Sequence, residues 1–183
     1  MTLVLGINQN GAMMTNVWKS FDSNEVTHST AHHLMTIENL IEELGYARVT
    51  DVANRLNITR GSASTTLKAL EKNALIARDV NGFLGLTSRG RFIAQATRAK
   101  KRLLQQFLQD VLGVNDKDAE IDSCKIEHLV SMESGHQLCA LVSFLNSDHP
   151  TAKEFMETFH DFCSKECQRE ECQFREEERL FAA

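Results

Sequence analysis

Residues 49–90, VTDVANRLNITRGSASTTLKALEKNALIARDVNGFLGLTSRG, constrain the fold more than any other part of the chain. Val49, Val52, Ala53 and Leu56 recur at the spacing of one helical face, with Thr50 as the expected N-cap. Ile58 then fills a turn, and Thr59 is placed to cap a second helix running to about Asn73. Two short helices joined by so few residues form a helix-turn-helix, whose second helix enters the major groove of DNA. On that second helix Ala63, Leu67 and Leu70 take the core side, while Arg60, Ser62, Ser64, Thr65 and Lys68 face outward. Short hydroxyl side chains suit close approach to phosphates and base edges, and an arginine near the helix start reaches either. With Arg48, Thr59 and Arg78 these are the candidate DNA contacts. Two short apolar runs then flank Asn81-Gly82, the dipeptide favoured in a type I′ hairpin because both central residues need positive φ. A hairpin directly after a recognition helix is the wing of a winged helix.

The charge distribution agrees with a nucleic-acid partner, although the total does not. The 183 residues carry a net charge of −5. From Tyr46 to Gln105, twelve Lys and Arg stand against three Asp and Glu, a local +9; the remainder holds eight basic and twenty-two acidic residues, −14. An acidic protein thus contains one basic module able to neutralise phosphates.

The other segments read as helical, and a single proline with only nine glycines fits a mostly α fold. Leu34, Ile37, Leu40 and Ile41 mark a first helix capped by Ser29 or Thr30 and ending near Leu44-Gly45. Beyond Ser88 a long helix runs to about Leu112, with Gly113 as its C-cap. Lys117 to Val130 form a further helix, Glu133 to Leu145 another, and Pro150 sits near the start of an acidic last helix. The expected divisions are a flexible extension over residues 1–28 with a short ordered piece around NVWKSF, a winged helix-turn-helix over 29–98, a metal-binding and dimerisation domain over 99–149, and an acidic, cysteine-containing helix over 150–183. No apolar run approaches the roughly 18 residues of a membrane span, and the N-terminus lacks the basic and apolar regions of a secretory signal. The expectation is therefore a cytoplasmic protein without membrane contact, in which five cysteines do not build a disulfide framework.

Chemistry enters at DSCKIEHLVS, Asp122 to Ser131. On a helix turning about 100° per residue, positions i, i+3 and i+4 share a face, so Cys124, Glu127 and His128 can converge on one metal ion. The first helix offers a second donor-rich face through His28, His32 and Met35. Cys139 and the C-terminal Cys163, Cys167 and Cys172 could hold a second metal, an iron-sulfur cluster or a redox site. On a continuous helix Cys172 lies about 140° from Cys167, so a three-point site needs a break there or another subunit.

These elements resemble the diphtheria-toxin-repressor family of metal-dependent transcriptional regulators. The resemblance rests on HSTAHHLMTIENLIEELGYARVTDVANRL, on GLTSRGRFIA, and on FLQDVLGVNDKDAEIDSCKIEHLVS, and it covers roughly His28 to Leu145. It implies a winged helix followed by a helical dimerisation domain, a homodimer on a double-stranded operator, and a metal held by His32, Cys124, Glu127 and His128. The family's ancillary metal position falls on Lys101, Gln105 and Glu120, where a protonated lysine has no lone pair to donate. One family-type site per subunit is therefore expected, with Lys101 pairing Glu120, although Glu120 and Met35 remain candidate additional donors. No C-terminal barrel domain is expected.

Thiolate and imidazole favour Fe(II), Co(II), Ni(II) or Zn(II), whereas manganese prefers oxygen. Affinity order alone ranks zinc above iron, and it is the family resemblance that implies Fe(II), so the reading is a metal-dependent repressor of metal-homeostasis genes with Fe(II) as corepressor, and not an enzyme. The alternatives are a manganese- or zinc-responsive regulator, a thiol or iron-sulfur redox sensor, a metal-dependent hydrolase, or a metal buffer. A hydrolase would leave the basic winged helix unexplained, and a buffer would bind metal without DNA.

Overall fold

The computed structural model describes residues 26–166, so the extension around NVWKSF and the last two cysteines, Cys167 and Cys172, lie outside the described residues. The fold is mostly helical with one two-stranded sheet. In order it runs α1 (His28–Leu44), α2 (Val49–Arg55), α3 (Arg60–Lys72), β1 (Ile76–Arg78), β2 (Leu84–Leu86), α4 (Ser88–Gln106), a π-helical turn (Phe107–Val111), α5 (Asp116–Ile126), α6 (Met132–Leu145) and α7 (Pro150–Glu166). Two compact units divide between Arg98 and Ala99.

The first unit is the winged helix. Its core gathers one residue set from each element: Leu34, Ile37 and Leu40 of α1, Val52 and Ala53 of α2, Ala63, Leu67 and Leu70 of α3, and Ile76 and Leu84 of the strands. Thr27, not Ser29 or Thr30, caps α1, its Oγ1 accepting from Thr30 N–H at 3.2 Å. The helix therefore starts at His28, one turn before His32. Gly45 closes it at φ +81°, a left-handed conformation that glycine enters without penalty.

Helix α2 also starts earlier than its sequence suggests. Arg48 holds the cap position in place of Thr50, and the Asp51 carboxylate accepts from Arg48 N–H at 3.2 Å. Asn57 at φ +53° turns the chain, and Thr59 Oγ1 caps α3 by accepting from Ser62 N–H at 3.1 Å.

The wing is a hairpin, but not of the expected turn type. Gly82 has φ +79° whereas Asn81 does not have positive φ, which excludes a type I′ turn. Asp79 N–H donates to Phe83 O and Gly82 N–H to Asp79 O, both at 3.0 Å, giving a three-residue loop that ends on a left-handed glycine. The Asp79 carboxylate decides the geometry by accepting from both Asn81 N–H and Phe83 N–H, at 2.9 and 2.8 Å. The strands pair antiparallel with Ile76 opposite Leu86.

Gly90 makes the junction between sheet and α4. A Cβ there would lie 1.9 Å from the Leu75 carbonyl oxygen, so no larger residue fits without moving backbone. Farther along α4, Arg98 reaches α1, pairing with the buried Glu38 carboxylate at 3.0 Å and with Glu42 at 3.6 Å. Gln95 Nε2 donates to the other Glu38 oxygen at 3.3 Å.

The second unit is all helical, with Leu104, Val111, Ala119, Val142, Leu145 and Ala152 buried. The long helix does not stay α-helical to Leu112, because its last turn widens to a π-helix in which Leu112 N–H donates to Phe107 O at 3.2 Å. Gly113 follows at φ +69°. Asn115 and Ser131 cap α5 and α6 by accepting from Asp118 and Ser134 N–H. Helix α5 ends at Ile126 instead of Val130. Glu127 keeps helical dihedrals (φ −49°, ψ −38°) and donates its N–H to Ser123 O at 2.9 Å, and His128 lies in the turn that follows. Among the described residues no helix is long and apolar enough to cross a membrane.

Candidate nucleic-acid interface and metal donors

The outward face of α3 is built as the periodicity requires. With Ala63, Leu67 and Leu70 anchored in the core, Arg60, Ser62, Thr65 and Lys68 are exposed and Ser64 is half-buried. Thr65 Oγ1 donates to Gly61 O at 3.0 Å, which orients its methyl and oxygen along the helix. The N-terminus of α3 adds a positive dipole end beside Arg60, favourable to a phosphate.

Arg48 and Arg78 differ in setting. Arg78 Nε pairs with Glu71 of α3 at 3.2 Å, tying the first wing strand to the recognition helix. The Arg48 guanidinium lies 5.1 Å from the Tyr46 ring centroid and 5.0 Å from that of Phe83, and the two rings are 5.3 Å apart. Cation–π attraction thus holds an exposed arginine in one orientation between the α1–α2 loop and the wing. Charge counting points to Arg48, but its aromatic seat depends on Phe83 from a residue pair 35 positions apart, which helix and strand periods do not reveal.

The metal-donor candidates fall in both units. On α1 the His28 and His32 rings are one turn apart with centroids at 4.2 Å, and His32 is half-buried. The neighbouring His33 is of another kind: buried, with Nδ1 2.7 Å from Ser29 O, it is a structural residue. Met35 packs against the apolar core of the first unit.

In the second unit Cys124 is half-buried, Glu127 is fully buried at 0% exposure, and His128 is half-buried in the turn. Burial pushes the Glu127 carboxyl up to about 7, and the Lys101 charge opposes that rise. Burial also raises the Cys124 thiol, with Glu127 adding to the effect and Lys101 opposing it. Glu120 is exposed, its Oε1 4.0 Å from Lys101 Nζ, the pairing expected from the sequence. A thiol, a buried carboxylate and an imidazole within five residues fit a first-row divalent ion. That ion would supply the charge that a thiolate and a carboxylate need when both ionise away from water. Among the remaining thiols Cys139 is exposed on α6 and Cys163 half-buried on α7.

Residues 25–79 match the family model described as the iron dependent repressor, N-terminal DNA binding domain, and residues 87–156 match that of its metal binding and dimerisation domain. The chain belongs to the diphtheria-toxin-repressor family. Among its curated relatives, the HTH-type transcriptional regulator MntR of Oceanobacillus iheyensis is 33% identical over 129 residues, covering 70% of this chain and 86% of the relative. The MntR of Bacillus subtilis is 32% identical over 128 residues, covering 70% and 89%. Among solved structures, the T. acidophilum IdeR aligns with a TM-score of 0.55 at 23% identity, over 65% of this chain and 55% of that one. A manganese-dependent transcriptional repressor in complex with manganese aligns at 0.56 and 25%, over 63% and 53%. The chain thus spans about half the length of these two structures. This family consists of transcriptional regulators, and the chain is a metal-dependent DNA-binding repressor, not an enzyme.

Proposed function

We propose that this protein is a homodimeric repressor whose corepressor is Fe(II), held by His32, Cys124, Glu127 and His128. The observation that carries the reading is the Cys124, Glu127 and His128 stretch, where a fully buried carboxylate lies one helical turn from a thiol. Cysteine sulfur and imidazole nitrogen together rank Fe(II) and Zn(II) above Mn(II) for this donor set. A manganese-responsive regulator is the second reading, favoured by relatives named MntR and by a solved relative titled as a manganese-dependent repressor.

His32 belongs to the helix that supports the reading head, and Cys124 to the domain matched as metal binding and dimerisation. If both donate to one ion, the donors restrict the angle between recognition helix and dimer axis. A dimer must present its two recognition helices about 34 Å apart to meet successive major grooves. Restriction toward that spacing favours operator binding, and by linkage the operator must tighten ion binding by the same factor, typically for about 1–3 kcal/mol of coupling.

Anaerobic titration of the full chain with Fe(II), Mn(II) and Zn(II) separately tests the ion. Fe(II) is expected to bind at least tenfold more tightly than Mn(II), with the advantage abolished in Cys124→Ala. Equal Fe(II) and Mn(II) affinity in the unaltered chain would instead support the manganese reading.

A further inference from the structure

Helix α4 directs two successive lysines at the segment that carries the α5 donors. Lys101 Nζ lies 4.0 Å from Glu120 Oε1, one turn before Cys124, on a side chain only 27% exposed. Lys100 Nζ donates to the Val130 carbonyl, two residues past His128. The pair therefore brackets the donor stretch at both ends. Of the two, only Lys101 faces a carboxylate of that segment, its ammonium lying against Glu120 one helical turn before Cys124.

We propose that Lys101 is a built-in cation that lowers the affinity of the Cys124, Glu127 and His128 donor set for its ion, and so sets the metal concentration at which the repressor responds. The inference rests on the proposed metal site and deepens it. A protonated lysine has no lone pair to give, so Lys101 cannot be a ligand. Its charge instead repels any ion bound among the same anionic groups, and partial burial screens that repulsion less than open solvent would. Pairing with Glu120 adds to the effect by engaging a carboxylate that would otherwise draw cations to the site. Lys100 has a different duty. Burial lowers its pKa, and its hydrogen bond to Val130 fixes the turn after His128.

The sign of one measurement separates a charge role from simple bracing. Losing a brace loosens the donors and weakens metal binding, whereas losing a repelling charge strengthens it. The full chain is titrated with Co(II), read through the thiolate-to-cobalt charge-transfer absorption that reports Cys124 coordination. Lys101→Met and Lys101→Gln are expected to bind Co(II) about tenfold more tightly than the unaltered chain, as for removal of one partly screened unit charge. Lys101→Arg, which keeps the charge, is expected to bind as the unaltered chain does, and Lys100→Met to bind no more tightly. Equal or weaker binding by both Lys101→Met and Lys101→Gln, with normal binding by the unaltered chain, would overturn the role of Lys101 alone. Absence of the thiolate signal in the unaltered chain would overturn the metal site and this inference together.

Discussion

The two units solve the problem of burying apolar surface differently. In the winged helix every element contributes to one cluster, and Leu34, Ile37, Val52, Ala63 and Leu67 are all at 0% exposure. The helical unit buries fewer large side chains and leaves Phe162 at 61%, Phe155 at 50% and Leu141 at 46% exposed, with Met132, Leu129 and Phe144 close behind. Apolar patches of this kind mark interaction surfaces, and this part of the chain matches a metal binding and dimerisation domain. A reading head can be complete within one subunit, whereas a dimerisation domain is finished by its partner and its ion. The contrast predicts that the winged helix is stable under fixed conditions and that the helical unit depends on concentration, pH and metal.

Gly90→Ala should produce the largest effect. A methyl group 1.9 Å from the Leu75 carbonyl forces backbone apart at the joint between sheet and α4, at a cost of about 3 kcal/mol or more. Thermal denaturation should show early melting of the winged helix, and melting like that of the unaltered chain would mean the junction is loose. Next comes Glu127. Its folded-state carboxyl titrates near 7 against a usual 4.5, so the folded form holds the proton longer. In chelator, stability from this group is present below about pH 4.5, declines as pH rises to about 7 and is absent above. The total is on the order of 3 kcal/mol. Denaturant titrations across that window should show the decline, and Glu127→Gln should flatten it. A slope unchanged in Glu127→Gln would assign the pH dependence elsewhere.

Phe144→Ser on α6 tests the other half of the contrast. It should weaken self-association roughly tenfold while costing the isolated subunit little, because the ring is already 43% exposed. Sedimentation at several concentrations checks this, and an unchanged dimer would move the pairing surface to other helices. The smallest effect should come from Ala74→Gly. Ala74 sits at φ +54° just after α3, so glycine should relieve strain and raise stability by about 0.5–1 kcal/mol, visible as a small upward shift in Tm.

The reading head was legible because its signals are local. Thr59 caps α3, and Ala63, Leu67 and Leu70 follow a helical period that burial reproduces. What escaped depends on groups distant in sequence or on competition between neighbours. The Asp79 carboxylate overrode the preference of Asn81-Gly82 for a type I′ turn by taking two backbone donors. The Asp51 carboxylate binds Arg48 N–H and so makes Arg48 the N-cap of α2, although Thr50 carries the better capping side chain. The need for glycine at position 90 arises only when Leu75 is folded against it. In the donor set, the spacing places Cys124, Glu127 and His128 on one face of a continuous helix, whereas α5 stops before Glu127 and His128 lies in the turn that follows. The end of α5 at Ile126 was invisible, since apolar Leu129 and Val130 continue the helical pattern past the break. His28 joined α1 because Thr27 took the cap from its hydroxylated neighbours, Ser29 and Thr30.

The proposed corepressor role requires that metal binding turn on operator binding. The most direct test is the affinity of the full chain for DNA from its own promoter region, measured anaerobically in chelator and in Fe(II) at fixed salt. Binding is expected to be at least tenfold tighter in Fe(II), with that gain lost in Cys124→Ala and in His32→Ala, while Arg60→Ala weakens DNA binding and leaves metal uptake intact. Equal DNA affinity in chelator and in Fe(II) would contradict the corepressor role.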